Sequence, residues 1–143
     1  MQNYHNLIYR EEEREMIPYC KQSGVALIPW SPLARGILSR PWDQRSSPRE
    51  QHDAFINYLV QTKEAEVDKM IVDRVEELAK KHGVAMATIA TAWSIKKGDI
   101  PIVGLGSKER IEQAVQNSKF QLSDEDEKYL DEPYMPKTIR GHA

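Results

Sequence analysis

The sequence predicts an α/β fold built from parallel strand–helix units. Two observations carry the prediction. Two short apolar runs, VALIPW at 25–30 and IPIVG at 100–104, have the length and flanking glycines of buried strands. They are separated by long segments whose apolar residues recur at helical spacing. Strands that alternate with helices in this way pair in parallel, and ligands of such sheets gather at the carboxyl ends of the strands.

In chain order, REEEREMIPYCKQSG at 10–24 reads as a helix, acidic early, basic late and stopped by Gly24. Pro18 lies in its middle, where a proline removes a donor and crowds the preceding turn, so a break or bend is expected there. Cys20, beside Met16 and Ile17, reads as a packing residue rather than a reactive thiol. The run 25–30 follows as the first clear strand. Residues 31–63 lack a regular pattern, and 40–63 read as an irregular loop, with Pro41, Pro48 and the polar stretch DQRSSPREQHD. In EVDKMIVDRVEELAKKHG, Val67, Ile71, Val75 and Leu78 line one helical face, and Gly83 ends the helix. MATIATAWSIKKG at 86–98 is a second helix, closed by Gly98. The second strand, 100–104, leads into SKERIEQAVQNSK at 107–119, a helix with Ser107 as N-cap and Ile111 and Val115 on its apolar face. SDEDEKYL at 123–130 opens on Ser123 followed by four acidic residues, another N-cap signature. The tail from Pro133 to residue 143 shows no pattern.

Composition narrows the function. Twenty basic against 22 acidic residues, a net charge of −2, give no basic surface for nucleic acid or an anionic membrane. No apolar run approaches the ~20 residues of a membrane span. One cysteine excludes an internal disulfide, so a reducing, cytoplasmic compartment is expected. His52, His82 and His142 lack ligand spacing, and no metal site is expected.

Two strand exits carry candidate chemistry. After the first strand, Trp30 offers a flat ring at the mouth of the sheet. Ser31 offers a hydroxyl, Pro32 none, and Leu33, Ala34, Arg35 and Gly36 an amide each, which a turn can aim at one anion. Arg35 adds charge and Gly36 permits close approach of a ligand. An ordinary strand exit with a buried tryptophan fits the same residues equally well. After the second strand, Gly104 and Gly106 allow a tight turn. Ser107 and the helix N-terminus offer an anion site, and Arg110 lies one turn in. A plainly capped helix with a solvent-facing arginine fits this segment better when it is taken alone. Taken together at two carboxyl ends, the segments favour a dinucleotide held between them.

The ordered set Gln2-Asn3-Tyr4-His5-Asn6, WSPLARG at 30–36 and IVGLGSKERIEQ at 102–113 resembles the C-terminal part of an aldo-keto reductase. The nearest branch is that of the fungal aryl-alcohol dehydrogenases and norsolorinic-acid reductases. The resemblance spans nearly all of residues 1–143. It implies the C-terminal portion of a (β/α)8 TIM barrel, about strands six to eight with their helices, and an NADP(H)-dependent oxidoreductase that reduces a carbonyl to an alcohol. By this resemblance Gln2 bonds the nicotinamide carboxamide and Trp30 stacks on its ring. Ser31, Pro32, Leu33, Ala34 and Arg35 line the pyrophosphate, and Gly36 shapes the turn. Gly104, Gly106, Ser107 and Arg110 surround the adenosine and its 2′-phosphate, and Gln113 lies near the adenine. Relatives often carry Ser at position 106 and Asn at 114, where Gly106 and Ala114 stand here. Ala114 offers no hydrogen bond, which implies weaker binding at the adenine end.

The family's catalytic Tyr, Lys, Asp and His lie upstream of the Gln2 motif. No residue here is assigned a catalytic role, and Tyr4 and His5 are read as structural. The expectation is a truncated, cofactor-binding half, inactive alone, with open sheet edges. The second expectation is a non-catalytic remnant that holds dinucleotide weakly or associates with another reductase chain. A small-molecule carbonyl compound is the implied substrate. Only 42–58 could help to shape its pocket.

Overall fold

The computed structural model describes residues 1–44 and 64–139. Most of the loop read at 40–63 and of the segment 42–58, with His52 and His142, therefore lies outside the described residues. Helices dominate the rest: α1 Met16–Ser23, α2 Ala65–His82, α3 Met86–Lys96, α4 Lys108–Asn117 and α5 Asp124–Asp131, with 3-10 turns at Glu11–Arg14 and Ala34–Ser39.

The expected helix over 10–24 is two pieces, and the break falls at Glu15 (φ −143°, ψ −58°) rather than at Pro18. Pro18 is the third residue of α1, where the missing N–H has no intrahelical partner to lose. Gly24 (φ 69°) and Gly83 (φ 65°) close α1 and α2 in the left-handed conformation, each amide returning to carbonyls of the last turn. Ser107 and Ser123 cap α4 and α5, accepting from the amides of Arg110 at 3.3 Å and Asp126 at 3.0 Å. Part of the stretch expected to be irregular is ordered as the turn Ala34–Ser39, whose Ala34, Ile37 and Leu38 are buried.

Three extended segments run side by side in parallel. Residue Tyr4 bridges Trp30, and Leu27 bridges Asp99. The amides of Ile28 and Trp30 donate to Met1 O and Asn3 O at 2.9 and 3.0 Å. Those of Ile100 and Ile102 donate to Leu27 O and Pro29 O at 2.8 and 3.1 Å. The expected strands are therefore present as short bridged segments. Pro29 and Pro101 carry no N–H, which removes donors from the ladder.

The second strand is not buried as expected. Ile100 and Ile102 are 61% and 51% exposed, and Val25 and Ile28 are also exposed. A parallel segment needs cover on both faces, and here one face is open. The core lies on the other side. Ile71, Val72, Val75 and Leu78 of α2 pack with Ile89 and Trp93 of α3, Leu7, Ile8, Leu38 and Leu130. Cys20 sits buried with Ile17 and Leu27, as a packing residue. The tail, read as patternless, docks through Tyr134 and Lys137. Lys137 is buried against Asp68, its amide donates to Glu11 at 2.6 Å, and the Tyr134 hydroxyl donates to Glu11 at 2.7 Å.

Candidate functional site

The parallel register fixes the geometry of the candidate site. Because Ile102 donates to Pro29 O, the exit at Val103–Gly104 lies level with Trp30 and Ser31. The WSPLARG turn and the N-terminus of α4 therefore open from the same end of the sheet. Gln2 is exposed on the neighbouring segment, next to Asn3, whose carbonyl holds the Trp30 amide.

The Trp30 ring is half-buried and stacks on Tyr4, with centroids 4.4 Å apart and planes 22° apart. Tyr4 stacks in turn on Tyr9 at 4.7 Å and 30°. The turn that follows is strained. Ser31 (φ 53°), Ala34 (φ 48°) and Arg35 (φ 57°) are left-handed without being glycine, and Gly36 (φ 103°) continues the run. Such residues cost about 1–3 kcal/mol each and persist where their surroundings fix them. Three hydrogen bonds do so. The Ala34 amide donates to Ser31 O at 2.8 Å, the Gly36 amide donates to Leu33 O at 2.9 Å, and Asn6 Nδ2 donates to Ser31 O at 3.1 Å. Two of the four amides expected to face an anion are thus committed inside the turn. Asn6, fully buried, is a positioning residue that sequence reasoning did not single out. Its signal was a polar side chain directly before the apolar Leu7 and Ile8.

At the second exit, Gly104 and Gly106 are not left-handed, and a Cβ on either would meet nothing within 4 Å. Tight turning is not what these positions require; the space beside them is open. The Ser107 hydroxyl is engaged by the Arg110 amide. It also helps the Glu109 amide to hold the Glu109 carboxyl below its usual range. The helix N-terminus thus already carries one anion, its own Glu109. Arg35, Arg110 and Gln113 are exposed, and Pro32 is buried beneath the turn.

Behind the two exits lies a buried polar network. His5 places Nδ1 2.7 Å from Asp99 and Nε2 3.0 Å from Glu13, so both ring nitrogens face carboxylate oxygens. Burial pulls the His5 pKa down, but the bonds to Asp99 and Glu13 outweigh it and the net shift is upward. Burial likewise pushes Glu13 up, and His5 and Arg10 outweigh it, so the carboxyl falls to about 2. Arg10 joins Glu13 to Asp131, which also accepts from the Trp93 indole and from Lys97. Both His5 nitrogens are thus engaged inside this network. His82, at the end of α2, is likewise engaged, by Asp126 at 2.8 Å. No group of metal-ligating side chains occurs among the described residues. Among them too, no helix is long and apolar enough to cross a membrane.

A statistical model of the Aldo/keto reductase family matches residues 1–134. The chain belongs to the aldo/keto reductase family. Among curated relatives, it is 60% identical over 140 residues to the versiconal hemiacetal acetate reductase of Aspergillus parasiticus, covering 97% of this chain and 41% of the relative. It is 55% identical over 142 residues to a Schizosaccharomyces pombe protein assigned by name to the aryl-alcohol dehydrogenases, covering 99% and 43%. These relatives lie in the fungal branch that the motifs resemble. The fold matches the glycerol dehydrogenase of Gluconobacter oxydans with a TM-score of 0.75 at 22% identity, over 97% of this chain and 44% of that one. The chain thus spans about two fifths of the aldo/keto reductases it matches. The bridged parallel segments and their helices have the character of a partial barrel.

Proposed function

We propose that the carboxyl-end face formed by Trp30–Gly36 and Gly104–Gln113 is the NADP(H)-binding side of a carbonyl-reducing aldo/keto reductase. The supporting observation is that a half-exposed aromatic ring, a strained left-handed turn and a capped helix N-terminus open from one end of one parallel sheet. The nucleotide, when bound, supplies the hydride that reduces the carbonyl to an alcohol. The chain's own residues bind and orient it. Trp30 presents a plane to the nicotinamide and Gln2 a hydrogen-bonding amide. Ser31, the Leu33 amide and Arg35 meet the pyrophosphate, with Pro32 and Ala34 packed beneath. Gly36 keeps the approach low. The open space over Gly104 and Gly106 admits the adenosine, Arg110 meets the 2′-phosphate, and Gln113 lies near the adenine. Glu109 must yield the Ser107 hydroxyl for the phosphate to use it, which weakens that end.

Residues 1–143 hold only this side of the nucleotide, so binding by the chain alone is weak, on the order of 1 mM. Saturation-transfer NMR with NADP+ tests the reading. Transfer to the nicotinamide protons is expected, and Trp30→Ala should abolish it. Arg110→Ala should weaken NADP+ while leaving NAD+ unchanged. Absence of transfer, or transfer indifferent to Trp30→Ala, overturns the reading.

A second reading rests on a different observation. Ile100, Ile102, Leu105, Ile111 and Val115 are 39–66% exposed. An exposed apolar face of this kind fits association with another reductase chain. Light scattering checks it: a mass well above 16.5 kDa supports association, and a strict monomer excludes it.

A further inference from the structure

We infer that Tyr4 is a positioning residue that sets the plane of the Trp30 ring, and with it the stacking of the nicotinamide. The inference rests on the nucleotide reading above. The backbone at Trp30 is fixed by the hydrogen bond that its amide donates to Asn3 O at 3.0 Å and by the bridge to Tyr4, but these leave the side-chain torsions open. A half-exposed indole at a sheet mouth is free to swing unless one face is backed. Tyr4 backs it, 4.4 Å away and nearly parallel at 22°. The backing is itself anchored. Tyr4 is 6% exposed and stacks on Tyr9, which is 1% exposed. Tyr9 is locked to Asn6 by a reciprocal pair of backbone bonds of 3.0 and 3.1 Å. The same Asn6 holds Ser31 through its side chain. Core, Tyr9, Tyr4 and Trp30 thus form one aromatic chain that ends at the proposed ligand face. The ring fixing the platform comes from the first parallel segment, the platform from the second.

The test compares Tyr4→Phe, which keeps the ring, with Tyr4→Leu, which stays apolar but loses the flat ring. Residues 1–143 are titrated with NADP+ and, separately, with adenosine 2′,5′-bisphosphate, which engages only the adenine end. The Trp30 indole N–H and the Arg110 amide are followed by NMR. Tyr4→Phe should match the wild type for both ligands. Tyr4→Leu should weaken NADP+ by about tenfold, the equivalent of one aromatic pair, and leave the bisphosphate unchanged. If Tyr4→Leu weakens both ligands equally, Tyr4 is a general packing residue and the inference fails. If it weakens neither while Trp30→Ala weakens NADP+, the inference fails and the nucleotide reading stands. If NADP+ moves the Trp30 indole in no variant, wild type included, the nucleotide reading fails and the inference falls with it.

Discussion

The two sides of the molecule differ in how their side chains are satisfied. On one side, α2, α3 and α5 close over Trp93, and the polar groups beneath are tied into the His5–Asp99–Glu13–Arg10–Asp131 network. On the other, α4 and the segment before it bury little. No described side chain of α4 is buried, and Ile111 and Val115 point to solvent. Yet α4 has a well-formed Ser cap and a clear apolar stripe. An amphipathic pattern states which face needs cover; it does not state that the cover is within reach. The closed side carries the fold, and the open side carries half of the candidate site.

The largest effect expected from this contrast comes from breaking the closed side. Asp99→Ala removes a fully buried partner of His5 and Ser94 and should cost about 3–5 kcal/mol by urea denaturation. Next, Ile89→Ala in α3 should cost about 2–5 kcal/mol, whereas Val115→Ala in α4 should stay within about 0.5 kcal/mol. Equal losses at the two positions would erase the distinction between the sides.

How far this division was legible in the sequence depends on the range of each signal. The helices α2 and α3, the glycine stops at 24 and 83 and both serine caps follow from local spacing, and the structure has them where they were read. The break at Glu15 was not legible, because Pro18 is the stronger local signal yet falls harmlessly in a first turn. Nor was the docking of the tail, which depends on Lys137 meeting Asp68, 69 residues away, with no periodicity to announce it. At the candidate site, Trp30 and Gly36 stood out by residue type. The left-handed backbone at Ser31, Ala34 and Arg35 did not, since none is a residue that favours it. The roles of Tyr4 and Asn6 arise from contacts 25 to 26 residues distant, which neighbouring residues do not encode.

Titration sharpens the same comparison on a smaller scale. His5 has a folded pKa raised above 6.5, so its contribution is fully present below that pH and is lost as pH rises through the folded value. Glu13 falls from 4.5 to about 2, so its contribution is present above 4.5 and lost as pH falls towards 2. The midpoint of thermal unfolding should therefore peak between about pH 4.5 and 6.5, and His5→Gln should flatten the alkaline flank. The smallest contrast lies in the caps. Ser123→Ala should cost about 1 kcal/mol, because α5 is tied to α2 through Asp126, Lys81 and His82. Ser107→Ala should fray α4 with less effect on global stability, visible in hydrogen exchange of 108–117.

The central claim is that Trp30 and the N-terminus of α4 serve one dinucleotide. It is tested most directly by titrating residues 1–143 with NADP+ and following the Trp30 indole N–H and the Arg110 amide in one series of NMR spectra. The account predicts that both resonances move along one binding curve with a single midpoint. Movement of either without the other, or two separate midpoints, would contradict it.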